Sequence, residues 1–365
     1  MLLIDSSASC LVLILITILT ITCAHAQVTS EFEVHKVAEG VYAAIRQEPP
    51  GLTVNANSVF IINDNDVVVV DTTLTPGSAK ELLTALRKLT NKPVAYVINT
   101  HWHDDHIMGN EVFRDAFPHA EFIGHQQLIE YLPSTGLSNR EQAMGKHGYA
   151  AFIGTLRERL ARNESVFGGP MDDEERVTYA SDIKIGERYV AENQGVEIVL
   201  PSITVTNRLK LRRGNRVIEI RYLGRGHTSG DIVVFLPKES VLIAGDLIIW
   251  PVPYIGSPQS HPGDWGRTLK RVISLKSDII VPGHGPILRN DSYVNLMAQL
   301  FAAMEQQVKV AVERGEDLEQ IRKSVNLSEF QRQFAGESRM RKLVFRNYVM
   351  GAGIEAAFRD ASSKK

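Results

Sequence analysis

Cysteine is almost missing from these 365 residues: Cys10 and Cys23 are the only two, and both fall near the N-terminus. Removal of that segment would leave a chain without thiols, which excludes disulfides, a cysteine nucleophile and thiolate metal ligands together. A chain of that kind suits an oxidising compartment, and its stability has to come from its core and any bound metal. An excess of one charge is lacking too. With 40 basic and 42 acidic side chains the formal net charge is -2, so no global field points to nucleic acid or to an anionic membrane. Internal repeats and low-complexity linkers are also absent from the sequence.

Long hydrophobic runs are scarce. The stretch Leu11-Val12-Leu13-Ile14-Leu15-Ile16 continues to Ile21, short for a membrane span, and Ala24-His25-Ala26 follows as a small-x-small cleavage site. Residues 1 to 26 are therefore read as a secretory signal peptide cleaved after Ala26, although the segment carries Asp5 and no Lys or Arg. The mature protein is expected to be periplasmic or secreted, with no stable membrane span.

What the chain does have is histidine packed into one place. His101-Trp102-His103-Asp104-Asp105-His106 puts three imidazoles and two further carboxylates directly after the apolar run Val94-Ala95-Tyr96-Val97-Ile98. Nitrogen and oxygen donors at this density suit a borderline metal such as zinc. On extended backbone His101 and His103 point the same way, while Asp105 and His106 face another centre, an arrangement with room for two adjacent metals.

The surrounding pattern is mixed. Gly40 to Ile45, Asn57 to Ile62, Val67 to Val70 and Val94 to Ile98 are expected strands, and Ser78 to Leu89 has Leu82, Leu83, Leu86 and Leu89 at helical spacing. Glu121 to Gly124 is a further strand. Residues from about 132 to 195 are more polar, helical or irregular, and are read as an insertion near the site mouth. From Ile203 the pattern turns to hairpins, with Leu209 to Leu211 before Val217 to Tyr222, then Ile232 to Leu236 before Val241 to Ala244. Residues 291 to 365 read as helices, including Tyr293 to Arg314 and Ser338 to Phe358, and end in a solvated tail. Two sheets packed face to face with helices outside and a site along one edge follow from this order.

Further candidate donors recur at strand ends among small residues: His227 in Gly226-His227-Thr228-Ser229-Gly230-Asp231, Asp246 in Ala244-Gly245-Asp246, and His284 in Pro282-Gly283-His284-Gly285. Small neighbours allow close approach of a metal or substrate. Any one of them alone is equally a loop histidine or a capping aspartate.

Taken in order with the first cluster, and with the strand ending in Asp71-Thr72, these segments resemble the metallo-β-lactamase superfamily over about residues 35 to 290. The resemblance implies an α+β, αββα four-layer sandwich as the hydrolase domain, 27 to 290, followed by a helical C-terminal extension, 291 to 365. It further implies two Zn2+ per chain, one held by His101, His103 and His227, the other by Asp105, His106 and His284. Asp246 would bridge them, and Asp71 would orient a ligand from behind. Aspartate at 246, where the lactamase branches more often have Cys or Ser, points towards the branch resembling glyoxalase II, lactonases and related ester hydrolases.

The chemistry expected of such a pair is a metal-bridging hydroxide that attacks an ester-like or amide-like carbonyl of a small molecule (a lactone, thioester or β-lactam) with Asp105 handling the proton. A β-lactamase proper is the alternative among the hydrolases, and a non-catalytic metal-binding protein or a redox di-iron member of the same fold is the alternative from another functional class. No nucleic-acid partner is expected, and the sequence carries no sign of oligomeric state. His119, His125, His147 and His261 are read as surface or loop histidines. Trp102, Trp250, Tyr254 and Trp265 are open between a substrate wall and core, and Arg221, Arg225 and Lys238 are candidates for attracting an anion.

Overall fold

A computed structural model describes residues 31–47, 49, 51–256 and 260–363, so the expected signal peptide lies outside the described residues. The strands fall into two sheets. The first joins β1 (Phe32–Ala38), β2 (Val41–Arg46), β3 (Ser58–Ile62), β4 (Val67–Val70), β5 (Val94–Ile98), β6 (Glu121–His125) and β7 (Ile203–Val205) in that spatial order. Its pairs are antiparallel as far as β4 and parallel from β4 to β7. The second contains β8 (Arg208–Arg213), β9 (Arg216–Tyr222), β10 (Ile232–Leu236), β11 (Val241–Ile249) and β12 (Ile279–His284), ordered β12-β11-β10-β9-β8.

The four valines of β4 show why these layers form. Alternate side chains of a strand point to opposite faces. Val68 and Val70 enter the core between the sheets with Ile218, Ile220 and Ile243, while Val67 and Val69 enter a second core beneath helices. A strand buried on both faces has no polar position, and its sequence is correspondingly a plain apolar run.

The helices are α1 (Pro76–Leu89), α2 (Asp104–Ile107), α3 (Asn110–Ala116), α4 (Gln127–Tyr131), α5 (Leu137–Met144), α6 (Tyr149–Arg162), α7 (Asp173–Glu192), α8 (Pro262–Ile273), α9 (Ser292–Glu313), α10 (Leu318–Ser324), α11 (Ser328–Ala335), α12 (Arg339–Val344) and α13 (Ile354–Ser362). Helix α1 carries the chain from β4 to parallel β5. It starts two residues before the expected Ser78, because Thr75 caps it by accepting from Ser78 N and Pro76 fits the first turn. Leu82 and Leu86 of α1 join Phe113 of α3 over the outer face of the first sheet. On the other side α8 and α9 cover the second sheet, with Trp265 stacked on Phe301 at 4.4 Å between ring centres. The layering is thus αββα. The terminal helices share that outer core through Val344, Phe345 and Ile354. No helix among the described residues is long and apolar enough to cross a membrane.

Several details depart from the sequence-based expectation. β7 pairs with β6 in the first sheet, although Ile203 was grouped with the later hairpins. β11 does not stop at Ala244; it continues to Ile249 through a break in register at Gly245, whose positive φ of 52° lets the backbone bend. The expected helix Ser338 to Phe358 is α12 and α13 joined by a π-helical stretch, Phe345–Gly353.

Candidate metal centre

The site lies where β4, β5, β9 and β12 end and β11 bends. β4 delivers Asp71, which adopts φ 59° and is buried. Its carboxylate accepts from Thr100 N and Thr100 Oγ1, both at 2.8 Å, and meets His106 Nδ1 at 2.8 Å. That last contact turns His106 Nε2 inward, so the role expected for Asp71 has a geometric basis. His103 stands at the start of α2 with extended backbone (ψ 149°), and the turn that follows sends Asp105 and His106 to the other side.

Two sets of donor atoms result, each with its atoms within 4.8 Å of one another: His101, His103, His227 and Asp246 in one, Asp105, His106 and His284 in the other. In the first, His103 Nδ1 lies 3.0 Å from His101 Nε2 and 2.8 Å from His227 Nε2. In the second, Asp105 Oδ2 is 3.1 Å from His284 Nε2 and 3.4 Å from His106 Nε2. Asp246 faces both. Its Oδ2 is 3.3 Å from His227 Nε2, and its Oδ1 is 3.3 Å from both His106 Nε2 and His284 Nε2. All seven donors named from the sequence therefore converge. Gly283 is part of the construction, because a Cβ there would overlap Asp246 Oδ1.

Whether these atoms fit a cation can be asked of their other partners. Asp105 Oδ2, His106 Nε2, Asp246 Oδ1 and His284 Nε2 are buried with no hydrogen-bond partner. They meet only one another, at 3.1 to 3.4 Å, and such a buried set of ligand atoms is one that a cation would satisfy in place of protons. His227 Nδ1 lies 3.0 Å from the carbonyl of Tyr254, which fixes that ring with Nε2 toward the other donors.

The electrostatics divide the same way. In the first set burial keeps the imidazoles neutral: it lowers His101 and His227, and pushes His103 down to about 3. In the second set burial also opposes charge, yet neighbouring carboxylates overcome it. Asp105, Asp71 and Asp246 carry His106 well above its usual range, and Asp246 and Asp105 raise His284 to about 10. Asp105 and Asp246, raised by burial, are held well below the usual carboxylate range by His106 and His284.

The other candidates fall elsewhere. His119 and His147 are exposed. His125 and His261, expected at the surface or in loops, are buried: His125 stacks on Tyr222 at 4.5 Å, and His261 Nε2 meets Ser229 Oγ at 2.8 Å. Trp102 and Trp265 belong to cores. Arg221 and Arg225 are ion-paired with Glu219 and Asp264, and Lys238 lines a separate cavity away from the donors.

Sequence reasoning missed the supports. Ser260 Oγ donates to the carbonyl of His227 at 2.7 Å, and His261 N donates to that of Gly226 at 2.8 Å. Arg359 of α13 in turn donates to the carbonyl of Ser260 at 2.6 Å. Across the site, Asp104 accepts from Tyr189 Oη of α7 at 2.6 Å and from Arg140 of α5 at 3.0 Å, tying the helices after residue 132 to the histidine cluster. A cavity of about 190 Å³ opens on the donors, walled by Val54, Asn139, Tyr254, Gly256 and Tyr348. Tyr254 was one of the residues left open between wall and core; Tyr348 carried no local signal.

Known proteins agree with this architecture. The chain is 24% identical over 224 residues to a linear primary-alkylsulfatase of Pseudomonas sp. (strain ATCC 19151), an alignment covering 60% of this chain and 39% of that enzyme. It thus spans well under half of the alkylsulfatase's length. It is also 24% identical over 241 residues to the metallo-beta-lactamase type 2 of Bacillus cereus, covering 65% of this chain and 70% of that enzyme. Among solved structures, a stereoselective inverting sec-alkylsulfatase from Pseudomonas sp. superposes with a TM-score of 0.61 at 15% identity, over 90% of this chain and 50% of that one. A metallo-beta-lactamase from Pontibacter korlensis gives 0.50 at 18% identity, over 73% and 99%. The sequence pattern of one family matches residues 52–284, well over half of the chain and ending on the last of the seven donors, and on that ground the chain belongs to the metallo-beta-lactamase superfamily.

Proposed function

We propose that this protein is an exported hydrolase carrying two zinc ions, which attacks the carbonyl of a small ester-like or amide-like substrate. The observation that carries the reading is Asp246, whose two oxygens each face one donor set. His101, His103 and His227 would hold one ion, Asp105, His106 and His284 the other, with Asp246 shared. Zinc in such a pair supplies a hydroxide nucleophile near neutral pH and stabilises negative charge on a carbonyl oxygen. The chain's own residues do the rest. Asp71 and the Tyr254 carbonyl fix two imidazole orientations, and Asp105, whose Oδ2 faces the second set 3.1 Å from His284 Nε2, would handle the proton. Val54, Tyr254 and Tyr348 wall the cavity beside the donors. Export rests on the segment from Leu11 to Ala26.

A second reading, hydrolysis of alkyl sulfate esters, is favoured by the alkylsulfatase relatives and by a fold likeness that extends over 90% of the chain. Against it, the described residues lining the cavity include no Arg or Lys, although a sulfate ester is an anion. A substrate panel separates the two: an aryl ester, a homoserine lactone, a glutathione thioester, a cephalosporin and a primary alkyl sulfate, each assayed with and without chelator. Turnover of a carbonyl substrate, lost with chelator and restored by zinc, supports the proposal. Turnover confined to the alkyl sulfate replaces it with the second reading, and chelator-insensitive activity overturns the zinc assignment. N-terminal sequencing of the mature protein tests cleavage after Ala26.

A further inference from the structure

The cavity wall opposite the metal donors is aromatic and comes from two distant segments. Tyr254 follows β11, and Tyr348 lies in the π-helical stretch between α12 and α13, a type of helix irregularity often found at functional sites. Their rings lie 4.8 Å apart at 36°, and the Tyr254 ring is 6.3 Å from that of His284. The pair is held in place. Tyr254 Oη donates to the carbonyl of Gly51 at 3.1 Å, and Asp182 of α7 accepts from Leu52 N, Thr53 N and Thr53 Oγ1, fixing the loop that presents Val54.

The chemistry of this wall is uncharged. Beyond the metal donors the cavity is faced by Val54, Gly256, the two tyrosines and the amide of Asn139. A smaller adjoining cavity of about 50 Å³ shares Val54 and Tyr254 and includes Arg46, but that guanidinium is ion-paired with Glu31 at 3.0 Å, so its charge is already matched. An apolar cavity of about 150 Å³ suffices for a benzene-sized guest; the cavity here is about 190 Å³, open on one side, and shared between the metal donors and the aromatic wall. Flat aromatic side chains bury much surface at little entropic cost and favour stacked or edge-on partners.

We infer that the Tyr254–Tyr348 wall is a binding subsite for one uncharged, ring-sized apolar group of the substrate, seated directly beside the reacting carbonyl. The position of the reacting bond rests on the carbonyl-hydrolase reading above; binding of the apolar group does not. The subsite explains why the helices after β12 reach the metal centre: they contribute Tyr348, and with it selectivity.

The test uses the full zinc-loaded protein with 4-nitrophenyl phenylacetate, 4-nitrophenyl acetate and mono-4-nitrophenyl succinate. The phenylacetyl ester should exceed the other two at least tenfold in kcat/KM. In Tyr348→Ala the phenylacetate-to-acetate ratio should fall about tenfold, mainly through KM, and Tyr348→Phe should restore it. Tyr348→Leu, which keeps bulk without the ring, should fall between and serves if the alanine variant does not fold. Calorimetric binding of benzamide, which needs no turnover, should weaken at least fivefold in Tyr348→Ala and not in Tyr348→Phe. Preference for the succinate ester, or an unchanged ratio together with unchanged benzamide binding, overturns the subsite. Benzamide binding that responds to Tyr348 while no ester is hydrolysed keeps the subsite and removes the carbonyl-hydrolase reading instead.

Discussion

The two donor sets use nearly the same residue types and sit a few ångströms apart, yet they are held differently. The His101, His103 and His227 set is packed ring against ring, with His103 4.6 Å from His101 and 4.7 Å from His227, and burial keeps its imidazoles neutral. The Asp105, His106 and His284 set is an ion-paired cluster, in which His106 is surrounded by Asp71, Asp105 and Asp246. Their supports differ as well. Asp71, in the first half of the chain, backs His106, whereas the loop bearing His227 is clipped by Ser260 and His261, themselves tied to α13 by Arg359. The first set is ready for a cation as it stands; the second must give up protons to take one.

Asp246 is the one residue common to both, and its loss should have the largest effect. For the two-zinc hydrolase proposed above, Asp246→Ala is expected to lower hydrolysis by about a thousandfold or more, in line with the loss of shared charge stabilisation, and to leave at most one zinc per chain by elemental analysis. Retention of two zincs would show that the two sets are independent. Asp71→Ala comes next. Removing the group that orients a ligating histidine costs about 10- to 100-fold in metal affinity or activity. Cobalt titration followed by absorption should place that loss on the Asp105, His106 and His284 set; an equal loss on both sets would show that the two are not supported separately.

The same contrast sets a pH dependence. His106 and His284 have raised pKa values, so in the metal-free protein they contribute stability that is whole below the usual 6.5 and lost as pH rises, for His284 through about 10. His103 is lowered to about 3, so its contribution is whole above 6.5 and lost as pH falls. The thermal midpoint of the chelator-treated protein should therefore peak between these limbs, near pH 6.5, and calorimetry across pH 4 to 10 checks it. Metal affinity of the second set should rise about tenfold per pH unit for each proton released, while that of the first stays flat above neutrality.

How much of this was legible in the sequence follows from distance along the chain. His101, His103, Asp105 and His106 announce themselves because a strand end sets their directions within a few residues. The four buried valines of β4 likewise predict their strand. Asp246 was found by its glycine neighbour but expected after a strand, since only the bend at Gly245 lets β11 continue past it. His261, read as a surface or loop histidine, does lie in a loop, but its burial was not legible because its partners are remote: Ser229 lies 32 residues before it and Asp360 99 after. Tyr348 was invisible for the same reason, as nothing local separates a helical tyrosine in a core from one facing a cavity. β1 and α8 went unread as well, although Trp265, Leu269 and Val272 at helical spacing after Pro262 were a usable signal for α8.

The clip on the first set gives a smaller effect than the bridge or Asp71. Ser260→Ala removes one neutral hydrogen bond to the His227 carbonyl, worth about 1 kcal/mol, so affinity of the His101, His103 and His227 set should fall by roughly fivefold by that figure. The Asp105, His106 and His284 set should hardly change. The same cobalt titration reads both.

A still weaker effect is expected at a residue that belongs to neither set. Asp104 stands between His103 of one set and Asp105 of the other, at the first residue of α2, where it accepts from Tyr189 and Arg140. Burial raises the Asp104 pKa, so each of those donors steadies a carboxylate that would otherwise resist ionising. Tyr189→Phe removes one donor and leaves the other, at a cost of about 1 kcal/mol in a buried setting. Because α2 positions donors of both sets, the loss should divide evenly, lowering both cobalt affinities by about twofold to threefold. A loss confined to one set would mean that the helices after residue 132 support that set alone, and that α2 is not the rigid link its place between the two clusters makes it.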